Sequence, residues 1–263
     1  MPIVALTELK GDLEAEAPRL AELLGVSTYD VKARLTGPLP KILVQTSDDQ
    51  TAARVLRGLT ARGHSAVLYD PTMVVPTSHM VRLHRFTLDA GGVWANDREG
   101  DRLEWADLGV VVVAVLRGSV ARTSDEVEYQ MPTKSRPSKV TYEVTKTERT
   151  ATHVAYLFPH ARALSQRPWV LEEAGAQFMS LGARMQPTRR GNFFATITAL
   201  RGYAPNAIVD DRFVASPLWS QAVINVRGSD TAPASVAAAQ IDVTVHVLAT
   251  WLMRARGGGP YRG

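Results

Sequence analysis

A chain of 263 residues with 45% hydrophobic side chains is long enough for one large core or two small ones, and too apolar to be disordered. It has no cysteine, which excludes a disulfide framework, a thiolate nucleophile and any Cys-ligated metal centre. The net charge of +4 is spread over 30 basic and 26 acidic residues, so no polybasic block marks a nucleic-acid or membrane binder.

The first residues, "MPIVALTELKGDLEAE", lack the basic start and long apolar run of a secretory signal. Together with the absence of cysteine, this points to a cytoplasmic protein. "PIVAL" predicts a short strand. From Asp12, apolar residues at Leu13, Leu20, Leu23 and Leu24 follow helical spacing, and Gly25 ends that helix. Ser27 and Asp30 form a capping-box pattern that opens a second helix. "TGPLP" breaks it. "KILVQT" predicts a strand. Ser47 and Gln50 repeat the capping pattern, the third helix runs to Gly63, and "SAVLY" closes the unit as a strand.

The order β-α-α-β-α-β in about seventy residues, with Gly25, the "GPLPK" turn and the ending "LRGLTARGHSAVLYD", resembles the C-terminal domain of bacterial ribosomal protein L7/L12. In that family a basic surface on the first helix and the start of the second meets translation factors. Here the first helix carries Asp12, Glu14, Glu16 and Glu22 against Arg19 alone. The reversed sign argues against carrying that docking over.

Residues 71–80, "PTMVVPTSHM", have two prolines and no period, and predict a linker. Strand texture follows in "VRLHRFTL", "GGVWAN" and "RLEWADLGVVVVAVLRG", with Val110–Val115 as a buried strand. Residues 119–151 are polar and predict a long loop or hairpin arms. "THVAYLF", "RPWVLEE" and "AQFMSLG" predict further strands. "TRRGNFFATITALRGYAP" places Phe193, Ile197 and Leu200 on one helical face. Strands closed by one helix, with "DRLEWADLGVVVVAV" before the buried strand, weakly resemble bacterial pleckstrin-homology-like domains over residues 79–205. That resemblance implies a barrel-like domain.

Residues 206–263 form a C-terminal extension with a helix over about 234–255. Its apolar stretch, residues 231–253, has Asp242 at its centre. A central Asp costs roughly 2.5–3.5 kcal/mol in a bilayer, so a transmembrane helix is rejected. The fold class is therefore α+β: an α/β unit over 1–70, a linker over 71–80, a mainly antiparallel β domain over 81–205, and the extension.

Signatures of chemistry are absent. No phosphate-binding glycine loop, GxSxG elbow or HExxH pattern occurs. His79 and His84, and His153 and His160, lack zinc-site spacing. Of the acidic pairs, Asp48–Asp49 read as helix-start residues favoured by the macrodipole, and in Glu172–Glu173 and Asp210–Asp211 neighbours on a strand point to opposite faces. Asp242 and His246 are four apart on one helical face with Thr250 and Arg254. A carboxylate–imidazole pair there could serve base chemistry. With no nucleophile nearby in sequence, a polar stripe on an apolar helix is the expected reading.

The expectation is a non-enzymatic interaction or adaptor protein with no cofactor, metal or catalytic residue. Its partner would be an unidentified protein, with self-association through the C-terminal helix as a further option. The candidate partner-binding residues are Arg117, Arg122, Lys134, Arg136, Lys139, Lys146 and Arg149. They are interleaved with Asp125, Glu126, Glu128, Glu143 and Glu148. The same basic segment supports the alternative of a nucleic-acid binder, and an enzyme with a site assembled from distant residues is the third reading.

Overall fold

The computed structural model describes residues 1–95, 101–130, 138–160, 167–219 and 233–257, and side chains for these residues except 118–149, 219, 233–238 and 257. The class is α+β. The N-terminal unit runs β1 (Ile3–Glu8), α1 (Leu13–Leu24), α2 (Thr28–Leu35), β2 (Lys41–Gln45), α3 (Asp49–Ala61) and β3 (Ser65–Tyr69). β1 is central, antiparallel to β2 and β3.

Local chemistry explains the helix ends. Gly25 and Gly63 end α1 and α3 at φ of 68° and 79°, where a side chain would clash with the backbone. Ser27 and Asp30 form the reciprocal capping box of α2. At α3 the cap differs from expectation. Asp48, not Ser47, accepts the N–H groups of Gln50 and Thr51. A carboxylate has two oxygens to offer where a serine has one.

Val4 and Leu6 of β1 pack under the three helices, against Leu20, Val31, Val55 and Leu59. Ile3 and Ala5 alternate to the other face of the sheet, beside Val67 and Tyr69.

The second unit contains β4 (Val81–Arg82), β5 (Phe86–Leu88), β6 (Gly92–Ala95), β7 (Arg102–Glu104), β8 (Leu108–Gln130), β9 (Ser138–Pro159) and β10 (Trp169–Glu172). α4 (Arg189–Tyr203), β11 (Ile208–Asp211), α5 (Arg212–Ala215), β12 (Ser216–Trp219) and α6 (Pro233–Gly257) complete it. Five strands of the larger sheet run in the order β11-β8-β9-β10-β4, and β12 also pairs with β8. β5-β6-β7 form a separate antiparallel sheet.

The expected barrel does not close. β4, β11 and β12 add in parallel to their neighbours, leaving both sheets open. The closing helix α4 instead joins β5-β6-β7 over one face of the larger sheet, where Phe193, Ile197 and Leu200 meet Val111, Val113 and Leu157.

The polar residues 119–151, expected as a long loop or hairpin arms, form the arms: they continue β8 and β9 as a two-stranded ribbon over 119–130 and 138–151. "AQFMSLG", expected as a strand, enters a 3-10 turn at Met179–Arg184. There Phe178 and Leu181, three apart, both reach the core.

The tightest backbone approach is at Gly92 of β6. A Cβ there would meet the carbonyl oxygen of Leu103 and the backbone behind it. Because backbone cannot swing aside, Gly92→Ala should cost about 2 kcal/mol or more. Chemical denaturation measures this. An unchanged midpoint would show that the β6–β7 pair slides freely.

α6 links the two units. Val245, Leu248, Ala249 and Leu252 pack on Val110, Val112, Tyr156 and Phe158 of the larger sheet. Val243, Val247 and Trp251 pack on Ile3, Ala5, Val67 and Tyr69 of the N-terminal sheet. The helix thus lies between the sheets, and the apolar residues that suggested self-association are covered within the chain.

Candidate functional site

The residues expected to bind a partner divide by position. Arg117 is exposed near the foot of the ribbon. The backbone register places Arg122 opposite Lys146, Ser119 opposite Arg149, and Tyr129 opposite Lys139. These five basic residues therefore share one element. Lys134 and Arg136 lie outside the described residues.

The ribbon extends well past the body. β11 and β12 pair with β8 up to Arg117, and β10 pairs with β9 down to Val154. Beyond that, from Gly118↔Thr150 to Gln130↔Ser138, the two strands pair only with each other among the described residues. Thirteen residue pairs at the usual strand rise span about 40 Å.

A second cluster is buried where α6 meets the linker. The linker is not a free tether. It forms 3-10 turns at Pro71–Met73 and Thr77–His79, and its backbone is held by α6. Asp242 and His246 are each only 5% exposed, so the expected polar stripe does not face water. One Asp242 oxygen accepts the Thr77 N–H at 3.1 Å, and the other accepts the Thr77 hydroxyl. The Tyr156 hydroxyl of β9 joins the same threonine.

His246 accepts the Val75 N–H on Nε2 at 3.1 Å, and its Nδ1–H donates to the Asp242 backbone carbonyl at 2.8 Å. One nitrogen accepts and the other donates, so the ring is neutral with its proton on Nδ1. Burial pushes the His246 pKa below its ordinary value, outweighing the opposing pull of the Asp242 carbonyl and carboxylate. Burial likewise pushes the Tyr156 hydroxyl up.

This geometry decides what the pair can do. A base dyad needs the carboxylate on one ring nitrogen and the other nitrogen open to a substrate. Here the carboxylate is occupied by Thr77, and both ring nitrogens are bonded to backbone. Asp242 and His246 hold the chain together.

Several other titratable residues are likewise engaged. His153, buried on β9, meets Glu173 at 2.6 Å and packs on the rings of Phe193 and Phe194. Its neighbour Glu172 turns the other way, to Arg82 at 3.4 Å. Asp210 accepts from Arg212 along two edges, at 2.9 and 2.7 Å, and Arg212 lies 5.2 Å over the Trp251 ring. Asp211 meets Arg201 at 3.4 Å.

Between the units lies an open cleft of about 600 Å³, with Leu39, Asp210, Arg212 and Trp251 in its walls. Among the described residues, no three His, Asp or Glu side chains converge as a metal site would need, and no helix is long and apolar enough to cross a membrane.

Sequence reasoning singled out Asp242 and His246 from their spacing. It missed Val75, Thr77 and Tyr156. Nothing in "VVPTS" announces that its amides will meet a helix more than 160 residues later. No family model matches the chain, and no curated protein or solved structure shows significant similarity to it.

Proposed function

We propose that the chain is a non-enzymatic, cytoplasmic interaction protein that engages a protein partner through the β8–β9 ribbon. The observation that supports this is the ribbon's length beyond the sheet that anchors it. A two-stranded ribbon is marginal on its own in water. Among the described residues its outer edges have no strand partner for their N–H and C=O groups, a template for an added strand. A partner contributing one extended strand would satisfy that backbone. The cations at Arg117, Arg122, Lys139, Lys146 and Arg149 would set register and orientation through charge.

The register also gives one point to nucleic acid. Arg122 faces Lys146 across the ribbon, and a two-stranded ribbon fits a major groove. Asp125 stands opposite Glu143 three positions further out. Over residues 119–149 six basic residues meet five acidic ones. That balance favours a protein surface over a phosphate backbone.

Replacing residues 119–149 by Asn-Gly joins Gly118 to Thr150, positions already paired across the strands. The shortened protein should melt within a few degrees of the full chain, because the excised residues lie beyond every other strand pairing among the described residues. It should lose the proteins that co-purify with the full chain, scored by quantitative mass spectrometry. An identical capture profile would overturn the reading. Ribbon-dependent binding of a 20-base-pair duplex, weakening steeply with salt, would replace it with the nucleic-acid one.

A further inference from the structure

The buried cluster on α6 has a directional sensitivity to protons. The Val75 N–H points at Nε2 of His246, at 3.1 Å. That nitrogen can accept only while unprotonated. A proton there sets two N–H donors against each other in a buried site. Nδ1 offers no alternative, because its proton is held by the Asp242 carbonyl at 2.8 Å. The Phe158 ring stands edge-on 5.0 Å away and offers no acceptor in the ring plane.

The titratable and charged groups around His246, among the described residues, come from three elements. Asp242 is on its own helix, with its carboxylate turned to Thr77. Tyr156 is on β9, with its hydroxyl on the same threonine, and Glu172 on β10 acts on Tyr156 from further away. The linker contributes only the Val75 amide and the Thr77 amide and hydroxyl.

We propose that Val75, Thr77, Asp242 and His246 form an acid-released latch, which holds residues 71–80 on α6 at neutral pH and lets them go when His246 takes up a proton. The linker connects β3 to β4, and α6 packs on both sheets. Release would therefore loosen the linker from α6, while the apolar contacts of α6 still hold the two sheets together. The latch and the ribbon share no residue.

The sign follows from burial. His246 is harder to protonate in the latched state than when freed into water. Above its ordinary titration range both states are neutral, and the latch has its full strength. Below that range the released state binds a proton that the latched state refuses. The released fraction should then rise by up to tenfold per pH unit, until the latched state also protonates.

The test is amide hydrogen exchange by NMR on the full chain, from pH 7.5 to 5.0, corrected for intrinsic exchange. Val75 and Thr77 should lose protection below the ordinary His range, by up to tenfold per unit. Val112, in the core of β8, should keep its protection. Flat protection at Val75 would overturn the proposal. So would parallel loss at Val112, which would report global acid unfolding.

His246→Gln keeps an acceptor without a titration and should flatten the Val75 profile. Should this variant not fold, the wild-type His246 ring shift decides. It must titrate in step with Val75 exchange. A ring that stays neutral while Val75 opens would sink the latch.

Discussion

Truncation after Thr231, which removes α6, is expected to leave an insoluble or strongly destabilised chain. The helix is the middle layer between two sheets. Ile241, Val245, Val247, Leu248 and Leu252 are all buried. At roughly 1.5–3 kcal/mol for each large aliphatic taken out of water, the five contribute on the order of 10 kcal/mol. That is of the same order as the whole stability of a typical domain, about 5–15 kcal/mol.

The loss would also be two-sided. Removing α6 exposes Val110, Val112 and Phe158 on one sheet, and Ile3, Ala5 and Val67 on the other. Exposed apolar sheet faces aggregate. A graded version is available at Leu248, which is fully buried against the larger sheet. Leu248→Ala should cost about 2–5 kcal/mol in urea denaturation, through lost contacts and the cavity left behind. A truncated protein that stays soluble and melts with the full chain would show that α6 is dispensable.

What the sequence made legible is what local chemistry decides. Gly25 and Gly63 stop helices because the backbone turns left-handed within one residue of them. The Ser27–Asp30 box closes within a single turn. Such features need no knowledge of the rest of the fold. The ribbon illustrates the opposite case. A strand announces itself by apolar alternation only when one face is buried. Residues 138–151 do alternate Val140, Tyr142 and Val144, but the charges and prolines around them leave loop and hairpin arms equally open, and it is as arms that the backbone pairs.

α6 shows an intermediate case. Its apolar residues fall on more than one stripe, which signals a helix covered on more than one side. Two sheets of the same chain, or a second copy, would satisfy that pattern equally. Only the fold chooses between them. The roles of Asp242 and His246 were illegible for a related reason. Their spacing gives a shared helical face, but partners 165 and 171 residues away decide what that face does.

Asp242→Ala should lower stability by about 3 kcal/mol, more than any surface substitution of the same size. The carboxylate receives both the amide and the hydroxyl of Thr77 in a buried site. Hydrogen bonds to a charged group are worth about 1.5–3 kcal/mol each, and a buried donor left without a partner adds its own desolvation cost. Water can rescue part of this only if the side chains part to admit it.

Asp242→Asn should cost less. Its carbonyl can still accept the Thr77 N–H, and its amide can donate to the Thr77 hydroxyl oxygen. The decisive measurement is a double-mutant cycle with Thr77→Val. If the carboxylate acts through that threonine, the double variant should lose about 1–3 kcal/mol less than the two single losses added together. Strict additivity would mean that Asp242 stabilises α6 by some route other than the linker. Its buried hydrogen bonds to Thr77 would then contribute nothing to the joining of the two units.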